Sequence, residues 1–267
     1  MYTDTHAHIA DAKFDADRDA VIQRARDAGV TTLIEIAESP EMWDVAVKLA
    51  DSHPFIYASL GIHPHHAHEA GPAEWPGLSQ KLRALLKHPK VVAVGEFGLD
   101  YFRMQNTKEQ QDFLFRRQLE LAKELNKPIV IHCRNAHEDV QKALIEFFPQ
   151  TSAELDLPQP NGVIHCFSGA WADAQTYMMH GFVLGFDAPV TYPSSKLLKE
   201  VVMRMPLQRM VLETDSPYLP PQTHRGQCNE PSYLPAVAEA IAEIKRKTTA
   251  DVSQTTTQNA RNLFRLG

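Results

Sequence analysis

Cysteine is scarce in this chain: Cys133, Cys166 and Cys228 are the whole supply in 267 residues, and no two of them stand in CxxC spacing. That excludes a disulfide framework and suits a reducing compartment. Long apolar runs are missing too. None approaches the roughly 20 residues that a membrane-spanning helix needs, and the first residues lack the basic-then-apolar order of a secretory signal. A cytoplasmic protein with no membrane association is expected. Positive charge is not in excess: 27 Lys and Arg stand against 33 Asp and Glu, a formal net charge of -6. Coating of nucleic acid by bulk attraction is thereby excluded, although metals and a few cations can still hold a polyanion locally. No internal repeat or low-complexity tract is visible. Histidine, by contrast, is plentiful at 13 residues, and 43% apolar content can fill one large core.

Short apolar runs alternate with amphipathic stretches from the start. The strands are read as Met1 to Ile9, Val30 to Ala37, Phe55 to Ile62, Val91 to Val94, Pro128 to Cys133, Gly162 to Phe167, Phe182 to Phe186 and Met210 to Thr214. Helices are read near Asp17 to Ala28, stopped by Gly29, and from Ser39-Pro40 to Ala50, with Ser39 as cap. Others follow along the stripe Leu78, Leu82, Leu85, Leu86, from the capping box Thr107 to Gln110 on to Asn126, from Glu138 to Phe148, and from Leu197 to Arg204. Two helices close the chain, one with Val237 and Ile241, the other with Leu263 and Phe264. Thr151 to Asn161, with Pro158 and Pro160, reads as a surface loop.

Eight strands alternating with helices imply parallel pairing through right-handed crossovers. The economical closure is a single-domain α/β (β/α)8 TIM barrel spanning residues 1–267. The rival, an open doubly wound sheet, would carry a glycine-rich loop after its first strand, and none is present.

Functional side chains of such barrels collect at the C-terminal ends of the strands. His6 and His8 stand two apart, so both imidazoles face one side of the first strand. Glu96 follows the fourth strand, His132 and His165 lie on the fifth and sixth, and Asp215 follows the eighth. Six nitrogen and oxygen donors exceed the need of one tetrahedral zinc and suit Zn, Mn, Co, Ni or Mg-type ions. The expected arrangement is two divalent metal ions roughly 3.5–4 Å apart. His6, His8 and Asp215 hold one, His132 and His165 the other, and Glu96 bridges them. Asp4, one layer deeper than His6, is read as orienting a ligand imidazole. Cys133 and Cys166 follow ligand histidines and by alternation point away from the metals.

The motifs Asp4-Thr5-His6-Ala7-His8, Gly61-Ile62-His63-Pro64, Gly95-Glu96-Phe97-Gly98-Leu99-Asp100-Tyr101, Ile131-His132-Cys133-Arg134, His165-Cys166-Phe167-Ser168-Gly169 and Glu213-Thr214-Asp215-Ser216-Pro217 occur together. His224-Arg225-Gly226 with Asn229-Glu230-Pro231 adds to them. In this combination the chain resembles the TatD family of metal-dependent deoxyribonucleases along its whole length. The resemblance implies a barrel, a two-metal site with His6, His8, Glu96, His132, His165 and Asp215 as ligands, and phosphodiester hydrolysis, often 3′→5′ on single-stranded DNA. A water activated by the metals would attack phosphorus, with Asp215 as general base. Arg134 and Arg225 are candidate phosphate clamps, His63 a candidate substrate contact, and Tyr101, Phe102 and Tyr218 candidate stacking partners for a base. A monomer is expected. Asp187 departs from the family pattern of a small residue after the seventh strand; it would add a ligand or repel a phosphate. The Pro158 and Pro160 loop is longer than usual. Other hydrolases on the same scaffold, such as an aminoacyl-tRNA deacylase, a lactonase or an amidohydrolase, are the alternative; Glu96 stands where related lactonases use a modified lysine after the fourth strand.

Overall fold

The structure, a computed structural model, describes residues 1–150 and 159–266. Eight strands, β1 (Tyr2–Ala7), β2 (Val30–Ala37), β3 (Ile56–Leu60), β4 (Val91–Asp100), β5 (Ile129–Arg134), β6 (Gly162–Ile164), β7 (Phe182–Phe186) and β8 (Met210–Leu212), form one sheet in sequence order. All seven neighbouring pairs are parallel. Helices α1 (Arg18–Asp27), α2 (Trp43–Ser52), α3 (Trp75–Leu85), α4 (Lys108–Glu124), α5 (His137–Phe147), α6 (Trp171–Met179) and α7 (Lys196–Arg204) lie between successive strands, and α8 (Leu234–Lys245) and α9 (Thr249–Phe264) follow β8. The (β/α)8 reading is correct.

The seam between β1 and β8 is joined by few backbone bonds. Asp215 N donates to His6 O at 2.9 Å and His8 N to Ser216 O at 2.8 Å. Buried side chains complete it: Thr214 Oγ1 donates to Asp4 Oδ2 at 2.7 Å, and Thr5 Oγ1 to Leu212 O at 3.0 Å. Two-residue periodicity sets what fills the barrel. Val130 precedes His132 by two, Val163 precedes His165, Val183 and Gly185 lead to Asp187, and Val211 and Glu213 lead to Asp215. The valines form one buried cluster with Leu263 and Phe264 of α9, which plug the lower end. Donor-type residues occupy the upper end on the same faces.

Several boundaries move. β4 runs six residues beyond Val94, to Asp100, since Gly95 (φ +142°) and Gly98 (φ +156°) let it lie close against β5, where a Cβ would strike Val130 O and His132 O. Ser39 does not cap α2; it closes a separate turn with Met42, and the helix begins at Trp43, whose buried indole donates to Gly61 O. α6 was not anticipated, since only Ala174 and Tyr177 are buried in it and its apolar stripe is short. Residues 151–158 of the anticipated loop, Pro158 included, lie outside the described residues. No helix among the described residues is long and apolar enough to cross a membrane.

Candidate metal centre

The inward faces of β1, β4, β5, β6 and β8 bring His6, His8, Glu96, His132, His165 and Asp215 to one end of the barrel. Glu96 stands in the middle. Its carboxylate lies 2.7 Å from His132 Nδ1, 3.2 Å from His6 Nε2, and 3.7 Å from both His63 Nε2 and His165 Nε2. Asp215 Oδ1 lies 3.5 Å from His8 Nε2 and 3.8 Å from His6 and His165 Nε2. Four groups among the described residues draw their donor atoms within 4.8 Å of one another: His6, His8 and Glu96; His6, His165 and Asp215; His63, Glu96 and His132; and Cys166, Asp187 and Asp215. The distances thus set His165 beside His6, ring on ring at 3.4 Å, rather than beside His132, whose ring is 6.4 Å away. They also place His63, expected as a substrate contact, next to Glu96 and His132.

The charge states follow from these neighbours. Burial by itself would raise the Glu96 carboxyl, but His165, His6, His63 and His132 outweigh it and hold Glu96 well below the usual carboxylate range. Asp215 is lowered in the same way, burial being overcome by His8, His165 and His6. Burial, with neighbouring imidazoles adding to it, lowers His6 and His63, so both rings are neutral, the form that binds a cation. The two His6 nitrogens are fully buried and neither makes a well-aligned hydrogen bond among the described residues, although Nε2 lies 3.2 Å from Glu96. A buried polar atom without a partner is costly, and a cation between His6 Nε2, Glu96 and Asp215 would remove that cost at Nε2. Burial pulls down His8, His132 and His165 as well, but the carboxylates beside them outweigh it and raise them, His8 to about 9 and His165 to about 10. A divalent cation held between these rings and the ionised Glu96 and Asp215 would displace those protons, so the donor set fits such a metal.

Residues outside the anticipated set hold the donors in place. Glu213, fully buried, lies 3.0 Å from His165 Nδ1 and accepts from Cys166 N at 2.5 Å. Asp100 Oδ2 lies 3.3 Å from His132 Nε2 and 2.9 Å from His65 Nε2, while its Oδ1 accepts from the Phe102 and Arg103 amides. Carboxylates behind ligand histidines fix ring orientation and basicity. In the sequence Glu213 stands two residues before Asp215, and Asp100 four residues after Glu96. Asp4 does not reach an imidazole. It accepts from Thr214 and from the His6 amide, so it fixes backbone at the seam. Asn229 Nδ2 donates to Thr214 O and Tyr218 O and pins the loop after Asp215. Gly185 makes room for Glu213, since a Cβ there would come within 2.3 Å of Glu213 Oε2. Gly185→Ala is therefore expected to cut metal affinity by about 10–100-fold, the range for a lost carboxylate behind a ligand, with little change in melting temperature. Isothermal titration of the metal-stripped variant measures this, and wild-type affinity would show that Glu213 plays no such part.

Cys166 corrects the alternation argument. β6 ends at Ile164 and Cys166 is left-handed (φ +44°), so its thiol turns inward and donates to Asp187 Oδ2 at 3.2 Å. Asp187 is buried beside Asp215, where burial and then Glu213 and Asp215 raise its carboxyl. Cys133 does point into the strand–helix layer, against His137 and Tyr177. That contact also draws His137 inward rather than leaving it on a helix surface.

Above the donors opens a cleft of about 520 Å³ lined by His8, His63, Glu96, His132, His165 and Asp215 and, higher up, by Lys13, Arg103, Arg134, Tyr218 and Leu219. Arg134 stands over the Phe102 ring at 4.2 Å. Arg225 stacks on Tyr192 outside this lining. Tyr101 is folded away, its hydroxyl on Asp139.

A parallel eight-stranded barrel whose mouth gathers imidazoles around ionised carboxylates is the architecture of a metal-dependent hydrolase. The family model described as TatD related DNase matches residues 3–265, and the chain belongs to that family. It is 39% identical over its full length, and over the full length of the relative, to the metal-dependent hydrolase YabD of Bacillus subtilis. It is 35% identical to the 3′-5′ ssDNA/RNA exonuclease TatD of Pantoea vagans, covering 98% of this chain and 99% of that one. The crystal structure of the TatD homologue YjjV of Escherichia coli superposes with a TM-score of 0.90 at 32% identity, covering 100% of this chain and 98% of that chain.

Proposed function

We propose that the chain hydrolyses phosphodiester bonds of single-stranded DNA, 3′→5′, with two divalent cations held by His6, His8, Glu96, His132, His165 and Asp215, and with His63 as a further donor. The observation that carries this reading is the fully buried His6 ring, without a well-aligned hydrogen bond, between two ionised carboxylates. The rim supports a phosphate ester over a neutral lactone or amide, because Lys13, Arg103 and Arg134 enter the same cleft. The Pantoea relative, a 3′-5′ ssDNA/RNA exonuclease, points the same way.

When bound, the cations lower the pKa of water and act as Lewis acids. Asp215, at the cleft floor and held ionised, accepts the proton of the attacking water. Glu96 keeps the imidazoles of both groups converged on one point. Arg134 and Arg103 present guanidinium forks to the non-bridging phosphate oxygens. Attack on phosphorus then breaks the P–O bond, and the leaving oxygen departs as an alcohol by taking up the proton from Asp215 or from solvent.

A time course on single-stranded DNA labelled at one end or the other, with Mg, Mn or Zn, tests this. A 3′ label is released in the first turnover and a 5′ label shortens stepwise; no cleavage with any of the three metals defeats the reading. Loading should also stabilise the fold. Metal at about 100 times its Kd adds roughly 2.7 kcal/mol, which for a chain of this size raises the melting temperature by about 5–10 °C. Calorimetry of stripped and reloaded protein reads this out, and identical melting curves would count against a resident metal.

A further inference from the structure

We propose that the cleft brackets two unpaired nucleobases, one on each rim, with the scissile phosphodiester between them at the cluster of carboxylates and imidazoles; this rests on the single-stranded DNA reading above. In a ring of eight strands in sequence order, the β8–β1 edge faces the β4–β5 edge across the mouth. Each of these edges carries one exposed aromatic ring beneath one cation. On the first, Lys13 Nζ stands 4.4 Å from the Tyr218 ring, which is 40% exposed. On the second, the Arg134 guanidinium, which lines the cleft, stands 4.2 Å from the Phe102 ring, which is 59% exposed and lies just outside that lining. The largest fully buried side chains of this protein include four phenylalanines, so an open phenylalanine at the mouth is a departure from its own core pattern.

The Tyr218 ring is held by its own contacts, and at Phe102 the backbone that carries the ring is held. The Tyr218 hydroxyl donates to Asp11 Oδ2 at 3.1 Å, and the ring meets His8 edge-on at 5.8 Å. The Phe102 amide donates to Asp100 Oδ1, and the other oxygen of that carboxylate faces His132. Each platform is thus tied to a donor on its own side of the centre. An aromatic face with an adjacent cation accepts a base and its phosphate without regard to sequence. A base in a duplex has both faces covered by its neighbours, so a bracket of this kind selects a strand with unpaired bases on both sides of the cut.

The test uses the full chain loaded with Mn and a phosphorothioate-protected single-stranded oligonucleotide carrying 2-aminopurine at either of its two 3′-terminal positions. Binding is followed by anisotropy and stacking by quenching. Wild type quenches both probes. Phe102→Ala releases one and Tyr218→Ala the other, and each raises the KM for unmodified strand by about tenfold or more with a much smaller change in kcat. Phe102→Trp and Tyr218→Phe keep a ring and keep the quench. Metal content is measured for every variant; should Tyr218→Ala shed metal through His8, Phe102→Ala decides. Wild type that binds and cleaves the strand but quenches neither probe, or a quench that survives both Ala variants, overturns the bracket alone. Wild type that neither binds nor cleaves single-stranded DNA overturns the proposed function and the bracket with it.

Discussion

Glu96→Ala loses metal-dependent hydrolysis by on the order of 10³-fold or more, the scale of removing a group that acts directly on the charge developing at a reaction centre. The expectation follows from position. Four imidazoles, on His6, His63, His132 and His165, converge on this one carboxylate at 2.7–3.7 Å. Without it the rings repel whenever protonated, and any cation between them loses its shared oxygen. The fold is expected to survive, because Glu96 lies above the apolar layers of the barrel and adds nothing to their packing. Glu96→Gln keeps the volume and removes the charge, so it separates a packing defect from loss of a ligand. Asp215→Asn should fall by a similar factor. Circular dichroism, metal content and a hydrolysis assay check all three variants together. Near wild-type turnover in folded Glu96→Ala would mean that the reaction centre is elsewhere.

Gly98→Ala has the largest expected effect on stability. A methyl group built at this residue lies 1.9 Å from His132 O, a backbone atom that cannot swing aside. Its φ of +156° is also one that L side chains rarely adopt. β4 and β5 must therefore separate at Gly98↔His132, and the pairs on either side, Phe97↔Ile131 and Leu99↔Cys133, go with it. We expect a loss of about 4 kcal/mol, which for a chain of this size lowers the melting temperature by roughly 10 °C. Gly77→Ala is the control. Gly77 sits in the first turn of α3 with nothing within 4 Å of a new methyl, so alanine there is neutral or stabilising by up to about 1 kcal/mol. Thermal unfolding of the pair decides; equal melting temperatures would show that the β4–β5 contact yields more easily than its geometry implies.

Much of the fold was legible because period two and period 3.6 rarely mimic each other. β2 and β7 begin and end where their apolar runs do. β4 was cut short at Gly95, since glycine usually ends a strand, and only the contact with β5 shows why this one continues. The donors were legible because strand ends of a barrel share one mouth. Their grouping was not, because it depends on the slant of each strand: His165 leans to His6 and His63 leans to Glu96. Glu213 was hidden by its place next to a better candidate, Asp215, and its partner Gly185 by having no side chain at all. The direction of Cys166 is not legible from alternation, because alternation stops where β6 stops, at Ile164.

The seam has a temporal side. Asp4 and Thr214 are 210 residues apart in sequence, yet they share a buried bond that registers β8 against β1. On the ribosome, His6 emerges early and waits for almost the whole of the polypeptide before Asp215 can dock beside it. A nascent or truncated chain therefore owns most of the donors but no assembled pocket. The metal centre is withheld until synthesis has run far enough for the ring to shut.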